Sequence, residues 1–370
     1  MPLIFMRGLG DDLLGLLLHI LFLIPSLAWA TTPTVTFVTG TFQKGQTLTL
    51  TGTYMMDENK TNWGVAYKTG TKYGFEGSGY TADGYSNAPD YNPQDRGYDS
   101  TVKLMGSNSF KGRIYTPPTS SSCPGDNHSC GLYITLSEDG ITGSDIYVRL
   151  YSRWYSSGAG DLWPQSHIKM LDVQGTGTQM YFQPNTTGGS RLPTEMNMVY
   201  DGAGHPYSVA NLMTQNRWYC MEARFKWSSP YNFTAWVDGV QLASVTPKSV
   251  GSYTYVLFNI INACKFSGLD LSNWTDAFAV STSRVYPSSM IEIGNNSDYG
   301  LAKKVKQAPV FLSDTSIQVT CDLMRLGAGP YYLWVTNNRQ ERSATYKLSG
   351  GNGGSPNPVK GLSFSGGSLK

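Results

Sequence analysis

The chain has 370 residues, with 28 Lys and Arg against 26 Asp and Glu, for a formal charge of +2. A balance this near neutrality excludes a partner held by bulk electrostatics, nucleic acid above all. Only 15% of residues are charged, while Gly (41), Tyr (24) and Trp (9) are abundant, the composition of an extracellular β protein rich in turns.

Residues 1–30 carry Arg7, then the apolar run LLGLLLHILFLIP, then SLAWA before TTPTV. A charged start, a short apolar stretch and a small-x-small site predict a secretory signal cut after Ala30. The run is short for a bilayer span, and no later segment could make one; an uncleaved anchor is the rival reading. Cleavage removes Arg7, Asp11 and Asp12, which moves the formal charge from +2 to +3. The mature protein is expected to be secreted or held at the cell surface.

After residue 31 helical periodicity is scarce, and alternating runs recur between Gly, Pro, Asn and Asp. TVTFVTGTF and GQTLTLTGTYM predict a hairpin over residues 31–55. Residues 56–100 read mostly as loop, followed by the short strand FKGRIYT. Cys123 and Cys130 bracket the loop tip CPGDNHSC, whose spacing in an oxidising compartment predicts a local disulfide. Cys220, Cys264 and Cys321 have no readable pairing, and zinc is a poor fit because no CxxC occurs.

The central strands are GLYITLS, SDIYVRLYSRWYS, SHIKMLDVQG, TQMYFQPN, RWYCMEARFKW, NFTAWVDGVQLAS and TYVLFNIINA. Regular strands without helices predict an all-β fold of two packed antiparallel sheets over residues 56–304. DTSIQVTCDL, GPYYLWVTNNR and SATYKLSG make further strands over 305–349. Residues 350–370, rich in Gly, Ser and Pro, read as a flexible tail.

RWYCMEARFKWSSPYNFTAWVDGVQLAS is similar to the paired strands of concanavalin-like (laminin-G-like) sandwiches, the jelly-roll superfamily of lectins, glucanases, polysaccharide lyases and adhesion modules. YGFEGSGY and DAFAVSTSRVY resemble the entry and closing segments of such domains. PTVTFVTGTFQKGQTLTLTGTYM and the stretch from FLSDTSIQVTC to RSATY resemble the two ends of an immunoglobulin-like (IPT/TIG) unit. One small Ig-like unit built from both chain ends is therefore expected, with two independent caps as the alternative. The resemblance also leaves room for Ca2+, which laminin-G-like folds hold through Asp and carbonyl oxygens, as at YTADGY or PGDN.

Side chains in a strand alternate faces. Alternation puts Tyr147, Arg149, Tyr151, Arg153 and Tyr155 opposite Ile146, Val148 and Leu150. It separates His167 and Lys169 from Ile168 and Met170, Gln179, Tyr181 and Gln183 from Met180 and Phe182, and Glu222 and Arg224 from Met221 and Ala223. If these strands share one sheet, the polar faces merge into one Tyr- and Arg-rich surface, with Trp218 at its edge. Rings pack on sugar C–H faces, and planar forks hydrogen-bond hydroxyls and carboxylates. The expected partner is a polysaccharide or cell-surface glycan. An ordinary solvated sheet face is the bland alternative.

Two enzymatic alternatives follow from the resemblance. β-Elimination of a uronic acid needs a neutralised carboxylate and a base for the C5 proton, work suited to Gln179, Arg153, His167 and Tyr181. Gln165-Ser166-His167 fits the Gln-x-His motif of sandwich-fold alginate lyases, but their Arg-x-Glu-Leu and Tyr-Phe-Lys signatures are missing. Glycoside hydrolysis needs a carboxylate pair, and the glucanase run Glu-x-Asp-x-x-Glu does not occur. A structural envelope protein is the third class.

Overall fold

The computed structural model describes residues 32–56, 75, 78–79, 86–87, 96–115, 131–137, 141–157, 166–175, 178–185, 195–200, 207–210, 214–246, 251–263, 270–323, 326–327 and 329–348. All regular structure among them is β, and among these described residues no helix is long and apolar enough to cross a membrane. The strands in chain order begin with β1 (Thr34–Gly40), β2 (Thr47–Thr53), β3 (Ser86–Asn87), β4 (Arg96–Asp99), β5 (Ser109–Tyr115) and β6 (Leu132–Thr135). The long central strands are β7 (Asp145–Ser157), β8 (Ser166–Gly175), β9 (Thr178–Asn185), β10 (Glu195–Tyr200) and β11 (Tyr207–Ala210). Then come β12 (Tyr219–Lys226), β13 (Asn232–Val237), β14 (Val240–Val245), β15 (Tyr253–Ala263) and β16 (Asp270–Ser281). The last are β17 (Ser289–Gly294), β18 (Lys304–Lys306), β19 (Ala308–Leu312), β20 (Ser316–Thr320), β21 (Tyr331–Asn337) and β22 (Tyr346–Leu348).

Two seven-stranded antiparallel sheets form the large sandwich. One runs β11-β10-β9-β8-β15-β6-β3 and the other β14-β13-β12-β7-β16-β5-β4. The expected all-β sandwich is the architecture observed. Between the sheets lies one continuous core to which Ile146, Val148, Leu150, Met221, Phe225, Leu171 and Phe258 all belong. Phe258 stacks on Phe278 at 4.5 Å and Phe225 on Phe233 at 4.9 Å. Each ring taken from water stabilises the sandwich by about 1.5–3 kcal/mol.

Two four-stranded sheets, β1-β2-β20-β19 and β18-β17-β21-β22, share a second core. β2 pairs with β20 along Thr47–Thr51, so the two ends of the chain meet in one sheet. β17 pairs with both β18 and β21, so Ser289–Gly294 and Lys304–Lys306 belong to this second pair of sheets and not to the seven-stranded ones. This small unit sits on the outer face of the β7–β12–β16 sheet. Its core takes in Tyr151, Trp218, Cys220 and Ala277 from that face, beside Leu50, Ile293 and Leu333 of its own.

That docking explains the burial pattern of the central strands. An antiparallel sheet with one wet face alternates buried and exposed residues. β16 is instead buried at eleven of its twelve positions, and β12 at its first five in a row. The inner face packs on the opposite sheet and the outer face on the small unit.

Candidate functional site

Alternation placed Tyr147, Arg149, Tyr151 and Arg153 of β7 on one face with Glu222 and Arg224 of β12. The register agrees, since Arg149 pairs with Glu222 and Tyr147 with Arg224. The face, however, is largely closed. Arg149, Tyr151, Trp218 and Glu222 are each no more than 1% exposed. The segment 282–288, which joins β16 to β17, lies across them. Ser288 donates its amide to the Tyr151 hydroxyl at 3.0 Å, and Arg284 donates to Glu222 Oε2 at 2.9 Å. The Arg284 guanidinium lies 4.1 Å from the Trp236 ring centre and 4.4 Å from that of Tyr286.

A bulge in β16 consumes Arg149. The register shifts between Asp276 and Ala279, and Ala277 sits at φ 50°. The bulge presents the Ala277 carbonyl to Arg149 Nε at 3.3 Å and Nη2 at 3.1 Å, while Nη1 donates to the Tyr286 carbonyl at 3.2 Å. Asp276 holds the bulge to the neighbouring loop by accepting the amides of Leu104 and Met105 at 2.8 and 3.1 Å. Burial pushes the Glu222 carboxyl above the ordinary glutamate value, with Arg284 pulling against it. Its Oε1 is buried and accepts no hydrogen bond among the described residues. These groups anchor the small unit and are not presented to a ligand.

Arg224, Tyr147 and Arg153 retain exposure. Arg224 forms a two-point pair with Asp145, at 2.9 and 2.6 Å, over the Tyr147 ring. The Asp145 hydrogen bond holds the Arg224 guanidinium above its ordinary value, and burial raises the Tyr147 phenol.

The other predicted residues belong to the facing layer. His167 and Lys169 are on β8, and Gln179, Tyr181 and Gln183 on β9, in the sheet that contains β15. Their side chains lie outside the described residues. The expected single trough is thereby corrected: Arg149, Arg153 and Glu222 are in one layer, and the strands bearing His167 and Tyr181 in the other. Alternation reports which residues of a strand share a face; it does not report which sheet the strand joins. The chain changes layer between Ser157 and Ser166.

On this second sheet Leu171, Val173, Val256 and Phe258 enter the core, so Asp172, Gln174, Tyr255 and Leu257 take the outer face. Leu257 pairs with both Asp172 and Tyr133, and Tyr255 with both Gln174 and Thr135. The Tyr133 and Tyr255 rings meet edge to face at 5.4 Å, and Tyr255 is 40% exposed. Gln174 Nε2 donates to Asp172 Oδ2 at 2.7 Å. Residues 181 and 179 of β9 are the backbone partners of Asp172 and Gln174. Asp172, Gln174, Tyr133 and Tyr255 escaped sequence reasoning. The signal was present in the alternation of LDVQ, whose polar positions are of opposite parity to His167 and Lys169.

Cys220 and Cys321 are buried free thiols. Cys123, Cys130 and Cys264 lie outside the described residues, as do the YTADGY and PGDN segments considered for calcium. Among the described residues no cluster of three or more His, Cys, Asp or Glu is placed to hold a metal.

No family model matches the chain, and no curated protein does so at a meaningful level. Solved structures with partial likeness include the cellulose-induced protein Cip1, at 17% identity and a TM-score of 0.39, covering 55% of this chain and 92% of that one. An endo-β-1,4-glucuronan lyase from the fungus Trichoderma reesei aligns at 15% identity and a TM-score of 0.37, covering 54% of this chain and 94% of that one. The alginate lyase Aly36B aligns at 9% identity and a TM-score of 0.38, covering 60% and 93%. At such scores the fold assignment rests on the chain's own strand order and not on these likenesses.

Proposed function

We propose that the chain is a secreted or cell-surface carbohydrate-binding protein that holds a glycan on the outer face of the β8–β15 sheet. The observation that carries this reading is the position of the small unit. It occupies the outer face of the opposite sheet, which turns the other broad face, with Tyr133, Tyr255, Gln174 and Asp172, away from it. The exposed Tyr255 ring, with the half-buried Tyr133 ring beside it, suits the C–H faces of sugars, and Gln174, oriented by the buried Asp172, suits their hydroxyls. The arginines expected to recognise acidic groups do not line this face. Arg149 is committed to carbonyls, Arg224 to Asp145 and Arg284 to Glu222.

A second reading, β-elimination on an acidic polysaccharide, is favoured by one feature. Positions 179 and 181 of β9 are the register partners of Gln174 and Asp172 on the outer face, whereas position 167 has the parity of the core residues Leu171 and Val173. Arg153 is in the other layer and takes no part in it.

Retention on gels of immobilised neutral and uronic polysaccharides tests both. We expect wild-type protein to be retarded without an ultraviolet-absorbing product, and Tyr133→Ala/Tyr255→Ala to bind about tenfold more weakly. Undiminished retention in that variant refutes the binding face. Product formation that disappears in His167→Ala and Tyr181→Phe establishes elimination instead.

A further inference from the structure

The small unit keeps an outer face of its own. In the sheet β1-β2-β20-β19, Val38, Leu48, Leu50, Leu312, Ile317 and Val319 enter the core. Alternation turns Thr47, Thr49, Thr51 and Thr53 of β2 to the opposite side, with Ser316 and Gln318 of β20. Thr47, Thr51 and Thr53 are exposed there. Cross-strand pairing sets the face in rows. Thr49 lies between Thr39 and Gln318, Gln318 between Thr49 and Phe311, and Thr51 between Phe37 and Ser316. Phe37 is 38% exposed, and neither its ring nor that of Phe311 belongs to the core. The two rings stand on the edge strands, roughly 16 Å apart by three strand spacings and one two-residue step.

None of the residues in these four strands is charged. Soluble surfaces ordinarily intersperse both signs. Covering this face with an uncharged chain strands no ion, whereas the carboxylates or sulfates of an acidic chain would meet no cation on these strands. Both edges are blunted against a further strand. The β1 register slips between Val35 and Phe37 and that of β19 between Pro309 and Phe311, and Pro309 has no amide proton to donate. What the sheet offers is its face: hydroxyls that donate and accept, a planar amide, and a ring toward either edge.

We propose that this face is a second binding surface, for a neutral polysaccharide. Sugar C–H faces lie on Phe37 and Phe311, and Thr49, Thr51 and Gln318 between them exchange hydrogen bonds with sugar hydroxyls. The surface belongs to the small unit and does not depend on the glycan face of the β8–β15 sheet.

Affinity electrophoresis of the full chain tests the proposal, in gels holding hydroxyethyl cellulose, glucomannan or, for contrast, polygalacturonate. The Tyr133→Ala/Tyr255→Ala variant serves as the background, so that binding on the other sheet does not mask this one. A neutral polymer is expected to retard that protein, equally at low and high salt. Adding Phe37→Ala and Phe311→Ala should weaken the retardation about tenfold. Thr49→Val/Thr51→Val, which keeps side-chain shape and strand preference, should weaken it about threefold and carries the test should the phenylalanine variant fail to fold. No retardation by either neutral polymer, retardation by polygalacturonate alone, or retardation undiminished in both variants overturns the surface. A dimer in sedimentation that the phenylalanine variant dissociates, without polymer binding, also overturns it and gives the face to a second copy of the chain. Wild-type retardation that the two tyrosine changes leave intact, but the phenylalanine changes reduce, counts against the β8–β15 face and for this one.

Discussion

Replacing Arg284 by Met tests the claim that segment 282–288 is held down by a buried ion pair. The Glu222 side chain is 2% exposed and its Oε2 lies 2.9 Å from Arg284 Nε, while Arg284 itself is 24% exposed. Removing one partner of a buried pair strands the other charge and costs about 3–5 kcal/mol. The partial exposure of Arg284 places the loss near the lower end, about 3 kcal/mol. Loss of the cation's contacts with Trp236 and Tyr286 adds about 0.5–1 kcal/mol each. At about 2–4 °C per kcal/mol, 3 kcal/mol alone lowers Tm by roughly 6–12 °C. The double variant Glu222→Leu/Arg284→Met removes both charges and should recover most of the loss, because apolar replacement of a buried pair is often neutral. Thermal and denaturant unfolding of the three proteins provide the comparison. A single variant that loses under about 1 kcal/mol, or a double variant no better than the single, refutes the reasoning.

Three other outcomes are expected. Burial is the first cause raising the Glu222 carboxyl, so its contribution to stability is fully present below the ordinary glutamate value and is lost as pH rises through the raised one. Glu222→Gln should therefore gain on wild type between about pH 4 and pH 7 in unfolding measurements; a constant difference argues against the shift. Burial pushes the Cys220 thiol far up and that of Cys321 to about 11. Both should resist alkylation in the folded chain and react after unfolding, as peptide mass mapping can show. A Cβ on Gly52 would come within 1.8 Å of the Thr34 carbonyl oxygen. Gly52→Ala should separate β1 from β2 at a cost of about 3 kcal/mol, visible as faster amide exchange along Thr34–Gly40.

The candidate site was half legible. The pairing of Arg149 with Glu222 and of Tyr147 with Arg224 on a common face followed from alternation, and the register agrees. That the face is closed did not follow. Its cover comes from segment 282–288 and from strands at both ends of the chain, and no local pattern in β7 or β12 announces a lid arriving from so far away. The polar face of β8 was assigned from His167 and Lys169, whereas the described outer groups are Asp172 and Gln174. Parity within a strand is relative, and only the core partners Leu171 and Val173 show which phase is inside.

Short apolar alternation broken by glycine, proline and asparagine was sufficient by itself to establish a layered β protein. A period of two is a property of each strand alone and needs no neighbour to express it. The tertiary structure decided the rest: that β7 and β8, consecutive in the chain, enter opposite sheets, and that both chain ends close over one of them. Those choices turn on contacts between residues far apart in sequence, where the gain from burying Trp218, Tyr151 and Cys220 against the small unit outweighs leaving a face to water.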